Sequence, residues 1–520
     1  MENGIDIVKY INKKITTETK LCFVSAFLIG IITHLSIITN KLTNWDDIAV
    51  TPYAGGGKFF GRWFMEYVFP VFDKWGSPSL NGIMAIFLLS ISICVIVSIL
   101  NIKRYTGIIL TTALIMTFPS IISCMTFVYM SPTFFVAVLL AVCGVWVIVK
   151  KRKSIICFIL GSALIMFSMA IYQAYFALAA SLMVLAVIID VLNGNDIKKI
   201  FYTGLYFVGS LLVSMIFYFG SIKLSGVELS SYRGMDNLGN IGFAGYIIAI
   251  ARAYHRILEY FVTDQPSYIY GFLSVMMIIM TVLVVISVIY SLICMKKRDK
   301  EHIASYIFLL FIFPLASSLV YVMAPEESNA STIMIFAYVL VLVFPIVMYE
   351  NIKVDQHAIN AKGKKMAFVV SLAAIVIVLA SYAQYRMTNK AYYRTEVALE
   401  RVSQYYNRLI MRLEMTDGYE YGDSVVILGD FYPNDLPVSA YSMEKDYWED
   451  LEGLALEEGL FTEYIRNPYI RIHLGIEPGV YDEELLSSLK ETDEYKAMPI
   501  YPEDGCIANI NGIWVIRVAQ

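Results

Sequence analysis

The chain has 520 residues, of which 58% are hydrophobic and 16% charged; its net charge is -4 and its mean hydropathy +0.63. That balance is too apolar for a soluble globular chain of this length, and no basic surface for nucleic acid follows from it. The class is an α-helical polytopic membrane protein.

Apolar runs fall near 21–39, 81–100, 106–123, 133–149, 155–171, 174–192, 201–222, 268–294, 303–323, 332–349 and 367–384. Backbone groups in lipid must be paired internally, and the runs lack the alternation of barrel strands. They therefore predict about 11 transmembrane helices. The polar, basic residues 1–20 lead into the first run with no small-residue cleavage pattern behind it, so a retained anchor is expected rather than a cleaved signal peptide. Six of the seven cysteines lie in or at the edge of apolar runs and Cys506 stands alone, a pattern of neither disulfides nor a Cys-type zinc site.

Cations set the expected orientation, because short loops rich in Lys and Arg stay cytoplasmic. Such residues precede the first run (Lys13, Lys14, Lys20) and follow the second (Lys103, Arg104) and the fourth (Lys150 to Lys153). The alternate connections at 124–132, 172–173 and 324–331 contain none. The amino terminus is thus expected in the cytoplasm, with the loop 40–80, the loop 223–267 and the tail 385–520 outside the cell membrane. Residues 1–384 read as the transmembrane domain and 385–520 as a small extracytoplasmic α/β domain. In that domain a charged helix near 388–415 precedes strand candidates Ser424–Leu428, Tyr469–Ile472 and Ile513–Val518, with helical stretches at 444–465 and 482–492.

Two outer segments read as helices lying in the headgroup layer, where they would rim a lipid-entry groove. One is the aromatic stretch 59–72. The other carries Arg252, His255, Arg256 and Glu259 at helical spacing among Ile247, Ile250, Tyr254, Leu258 and Phe261.

The polar groups that carry chemistry cluster in the first outer loop. A carboxylate of Asp46 or Asp47 can act as general base toward a sugar hydroxyl while the other orients it; the alternative is a helix amino-terminal cap or a solvated pair. Lys58 and Arg62, next to the Gly55 to Gly57 run and Gly61, can neutralise a phosphate, or can be ordinary snorkelling cations of an interfacial segment. Tyr172 and Gln173 form a polar turn between two spans that suits a sugar, or is simply satisfied by neighbouring helices. Arg233, Arg252 and His255 are further outer groups able to meet a phosphate, against the alternative of a solvated face. Glu326, Glu327 and Asn329 read as surface. The five histidines are scattered, and neither a metal cluster nor a Ser/His/Asp set can be assembled.

The Asp46-Asp47 pair, the Gly61-Arg62-Trp63 that follows it, the Tyr172-Gln173 turn and the closing Met498-Pro499-Ile500-Tyr501-Pro502 with Asn511-Gly512-Ile513-Trp514 resemble, in this order, a known family. The chain is similar to the serotype-converting glucosyltransferases of phages and bacteria, the Gtr type II family, within the GT-C membrane glycosyltransferases. The resemblance implies transfer of a glucosyl or similar residue from a polyprenyl-phosphate sugar to a surface glycan or its lipid-linked precursor. It implies a first-loop acid as base, which falls on Asp46 or Asp47, and gives the donor phosphate to Arg62, with Lys58 beside it. Some GT-C enzymes use a divalent cation such as Mg or Mn and others none, so no cofactor is fixed. A separate donor-making glycosyltransferase and a flippase are implied as partners. A flippase of lipid-linked sugars and a glycan polymerase are the competing readings; the first is disfavoured because the spans carry almost no charge.

Overall fold

A computed structural model of the chain describes residues 15–49, 57–152, 154–226, 228–230, 242–295, 298–323, 330–352, 356–429, 448–454, 460–479 and 482–519. The chain divides into two compact units. The first comprises Met1–Lys41, Ala54–Asn389 and Tyr447–Glu452; the second comprises Leu42–Tyr53, Lys390–Asp446 and Gly453–Gln520.

The first unit is a helical bundle. Eight described helices are long and apolar enough to cross a membrane: Thr17–Thr39, Pro78–Ile99, Ser131–Lys150, Tyr175–Leu192, Ile197–Ser225, Phe272–Met295, Lys300–Ser317 and the apolar part of the helix that ends at Glu414. Tyr105–Met116 and Pro119–Thr126 form a ninth candidate bent by 49°, and Ile155–Met169 and Phe336–Asn351 are shorter apolar helices. The apolar runs at 106–123, 155–171 and 332–349 thus correspond to a broken helix and two short ones. The break has a local cause. Pro119 has no N–H to continue the ladder, and the freed region is tied down by Thr117, whose hydroxyl lies 2.8 Å from both the Ala113 carbonyl and Gln384 Oε1. His34 Nε2 donates to the Met116 carbonyl at 3.1 Å.

Tyr175–Leu192 is the central helix, with 89% of its apolar window buried against 22% for Phe272–Met295. Ser131–Lys150 and Ile155–Met169 approach through Gly144 and Gly161: a Cβ on either would sit 2.7 Å from the other's carbonyl oxygen. The stretch 59–72 is not the single interfacial helix expected. It is a 3-10 turn, Gly57–Phe60, a left-handed Gly61, a short helix Met65–Val68 and a second 3-10 turn Phe69–Val71, because Gly61 (φ 70°) and Pro70 interrupt any continuous ladder. The segment around Arg252 does form a helix, Phe243–Leu258; it buries Ala249, Ala253 and Ile257, with Ala253 against Val320 and Tyr321, and leaves Phe243, Ile247 and Leu258 exposed.

The second unit holds a three-stranded sheet, β1 (Val425–Leu428), β2 (Ile507–Ile510) and β3 (Ile513–Arg517), in the order β1-β3-β2. β1 runs parallel to β3 and β2 antiparallel. Asn511 and Gly512, both at positive φ, close the β2–β3 hairpin in the two-residue turn this pair favours. The helix expected near 388–415 and the last apolar run are one continuous helix, Gln356–Glu414, since neither Gly nor Pro separates them. Its Val402, Tyr405, Tyr406, Leu409, Ile410 and Leu413 recur every three or four residues and face the sheet's core.

Tyr469–Ile472 is not a strand; it lies in the helix Glu463–Leu474, whose buried Ile465, Tyr469 and Ile470 follow a helical period. Arg466 in that helix donates to the Ile427 and Gly429 carbonyls at the end of β1, at 2.9 and 2.8 Å. The stretch 482–492 is helical over Glu483–Glu491 and is capped by Asp482, which accepts from the Leu485 N–H at 2.7 Å. Much of the stretch 444–465 lies outside the described residues; the described part holds a turn at 448–452 and the start of the helix Glu463–Leu474.

Candidate functional site

In the first unit Arg62 is the centre of a built site. The turn Gly57–Phe60 and the left-handed Gly61 aim it at the connection between Ile155–Met169 and Tyr175–Leu192. There its Nε donates to Gln173 Oε1 at 3.3 Å and its guanidinium carbon lies 4.7 Å from the ring centre of buried Tyr172. Gln173 Nε2 donates to the Phe60 carbonyl (2.6 Å) and to the Tyr218 hydroxyl (2.9 Å), and that hydroxyl donates to the Gly61 carbonyl at 3.2 Å. Only glycine fits at 61: the backbone is left-handed and a Cβ would lie 2.4 Å from the Tyr218 oxygen. Trp63 is fixed by its indole N–H to Ser221 Oγ at 2.9 Å, and the backbone N–H of Phe64 donates to the Ala170 carbonyl at 2.9 Å. The sequence-predicted Arg62, Tyr172 and Gln173 are thus brought together.

No carboxylate among the described residues pairs with Arg62, and its two terminal nitrogens donate to none of them. The Tyr172 face offsets part of the cost of a half-buried cation, by about 0.5–2 kcal/mol, and among the described residues its fork is open for an anion of bidentate geometry. Lys58 is exposed, with its ammonium 5.6 Å from the Phe59 ring. In Phe243–Leu258, His255 and Arg256 both turn to Glu259 Oε2, at 3.1 and 2.9 Å, and Arg252 is half-buried on the same helix. Arg233 lies outside the described residues, as do Glu326, Glu327 and Asn329.

Asp46 and Asp47 sit in the second unit, on the short helix Trp45–Ala49. Asp47 is buried and reciprocally bonded to Asn44: the Asn44 N–H donates to Asp47 Oδ2 at 2.9 Å and the Asp47 N–H to Asn44 Oδ1 at 2.8 Å. This is a capping arrangement, the structural alternative that the pair allowed. Asp46 is half-buried beside Tyr464, whose phenol is pushed up by burial and then by the Asp46 charge. Ile48, 3% exposed, inserts into the core formed by Tyr406, Leu409, Ile465 and Ile516, and Trp45 and Ala49 pack on the same core. Full burial of one such side chain is worth about 1.5–3 kcal/mol.

A family model described as Glucosyl transferase GtrII matches residues 35–349, more than half of the chain. The chain belongs to the GtrII family. Family membership implies glucosyltransferase activity, and the apolar helices make this a multi-pass membrane protein. No curated relative and no solved structure matches the chain. The GtrII match contains every site residue read from the sequence.

Two groups of polar residues escaped that reading. Tyr218 and Ser221 continue a stripe begun by Ser210 and Ser214 on Ile197–Ser225, a polar line at helical spacing that the overall apolarity of the span obscured. The second group lies beyond the GtrII match, where Trp448–Glu452 belongs to the first unit. Trp448 is buried edge-on against Tyr270, the Asp450 carboxylate accepts from the Ser267 N–H at 2.7 Å, and Thr332 donates to the Asp450 carbonyl at 2.6 Å. Glu452 lies within electrostatic reach of Cys124. No periodicity or motif in the sequence marks this segment.

Proposed function

We propose that this GtrII-family chain is a GT-C-type glucosyltransferase of the cell membrane. It moves a glucosyl residue from a polyprenyl-phosphate donor to a surface glycan or its lipid-linked precursor, on the extracytoplasmic side. The observation that carries the reading is Arg62: a half-buried guanidinium, oriented by Gln173, backed by Tyr172 and met by no protein carboxylate among the described residues. A phosphate monoanion or dianion is the ligand such a fork suits.

In the proposed reaction the Asp46 carboxylate takes the proton of an acceptor hydroxyl as its oxygen attacks the anomeric carbon. The bond from that carbon to the phosphate oxygen breaks, and polyprenyl phosphate leaves with the electron pair. Attack opposite the leaving group inverts the anomeric centre. Arg62, with Lys58 nearby in the chain, stabilises the departing charge, so no catalytic acid is required. Asp46 is taken as the base, and the Asp47 side chain, which accepts from the Asn44 N–H, as part of the cap of its helix. Tyr172 and Gln173 act through Arg62, and Arg233, Arg252 and His255 are secondary candidates for donor or acceptor contacts. Among the described residues no three His, Cys, Asp or Glu side chains gather to hold an ion, and no step is routed through Mg or Mn. A donor-making glycosyltransferase and a flippase would supply the lipid-linked sugar.

The test is donor affinity in purified, membrane-reconstituted protein. Arg62→Ala weakens binding of polyprenyl-phosphate glucose about 10- to 100-fold, the worth of one charge-assisted contact. Unchanged affinity contradicts the assignment. Transbilayer movement of the lipid without transfer would instead identify a flippase, and lengthened glycan chains a polymerase.

A further inference from the structure

The helix that carries Asp46 has five residues, Trp45–Ala49. Isolated helices much shorter than about 12 residues do not persist in water, so its conformation is set by what it packs against. Trp45, Ile48 and Ala49 recur at helical spacing and bury one face in the core of the second unit, against the long helix Gln356–Glu414 and the helix Glu463–Leu474. The Asn44–Asp47 bonds fix its first turn. Asp46 is two residues from Ile48, a helical rotation of about 200°, so the two lie on different faces of this helix, and the Asp46 charge acts on Tyr464. The residues of this core other than those of the acid helix and its neighbours run from Leu399 to Val518, all beyond the GtrII match that ends at residue 349.

We propose that the carboxyl-terminal domain is a positioning element of the transfer reaction: it seats the acid helix through Ile48 and so holds the Asp46 carboxylate in its working orientation. This rests on the reading of Asp46 as the base. The domain is then required for chemistry although it contributes no residue to the reacting atoms, and Ile48 and Ile465 are positioning residues. Loss of packing at Ile48 leaves the donor site on Arg62 untouched and affects only the presentation of the carboxylate.

The experiment uses the full chain in liposomes with polyprenyl-phosphate glucose and an acceptor glycan, measuring kcat, the acceptor KM and donor affinity. Ile48→Ala is expected to lower kcat about 100-fold, the cost of a misplaced catalytic group, with donor affinity unchanged, and Ile48→Leu to restore most of it. If Ile48→Ala does not accumulate in the membrane, Ile48→Val and Ile465→Val give the graded form, in which kcat falls with each methylene lost. A kcat at the wild-type level in these variants, while Asp46→Asn has lost transfer, overturns the seating and leaves the base in place. Wild-type transfer by Asp46→Asn overturns both. Loss of donor affinity in the Ile48 variants also overturns the proposal, because it signals a general structural role.

Discussion

Arg62 and Lys58 show why a cation in sequence is not yet a site. Both lie in the glycine-bearing loop near an aromatic ring, yet Arg62 is half-buried against buried Tyr172 and oriented by a side-chain amide, whereas Lys58 and its neighbour Phe59 are exposed. Arg62→Lys keeps the charge but loses the fork and the stacking, so it should recover less than a tenth of wild-type transfer, against the parallel measurement on Arg62→Ala. Near-full activity in the Lys variant would mean that charge alone suffices. The two aspartates separate in the same way. Asp47→Ala removes the clamp on Asn44, should cost about 1 kcal/mol of local stability and lower transfer about fivefold. Asp46→Asn should lower it by a factor of about 100 to 10,000, as loss of a general base does. Equal effects in a side-by-side rate assay would contradict the division of roles. Adjacency in sequence suggested the pair, but that Asp47 is the one that caps depends on Asn44, a partner whose role no motif announced.

Among the elements, long apolar helices were legible because lipid imposes a single requirement, internal pairing over a fixed length, and composition satisfies it in an obvious way. Where a second demand intervened the reading failed. The aromatic stretch 59–72 has the pattern of an interfacial helix, but Gly61 is there to bring the backbone against Tyr218 and Gln173, and the helix is sacrificed to that approach. The alternation in Tyr469–Ile472 mimics a strand, whereas the burial of Ile465, Arg466, Tyr469 and Ile470 follows a helix. The strand Ile507–Ile510 went unread although the Asn511-Gly512 turn after it is the strongest short hairpin signal in the chain. The polar stripe on Ile197–Ser225 leads to one prediction. Tyr218→Phe removes the hydroxyl that joins Gln173 to the Gly61 carbonyl; it should cost about 1 kcal/mol and weaken donor binding about fivefold with the protein still folded. Donor affinity in reconstituted protein reads this directly, and an unchanged value would detach Tyr218 from the site.

At the scale of the whole molecule, the chain joins a bundle that belongs to the GtrII family to a smaller unit whose core receives a piece of the first loop. Hydropathy displays the bundle and a drop in hydropathy marks the smaller unit, but the exchange of short segments between them has no compositional trace. The described residues 42–49 and 448–452 each fold with the unit that the surrounding sequence does not. The central claim is glucosyl transfer from a polyprenyl-phosphate donor with Asp46 as base. Its most direct test is purified full-length protein in liposomes given polyprenyl-phosphate glucose carrying a radiolabelled sugar, together with an acceptor glycan. The account predicts that label passes to the glycan with inversion at the anomeric carbon, and that Asp46→Asn leaves it on the lipid; label that stays on the lipid with the wild-type protein, or moves equally fast with the variant, would contradict it.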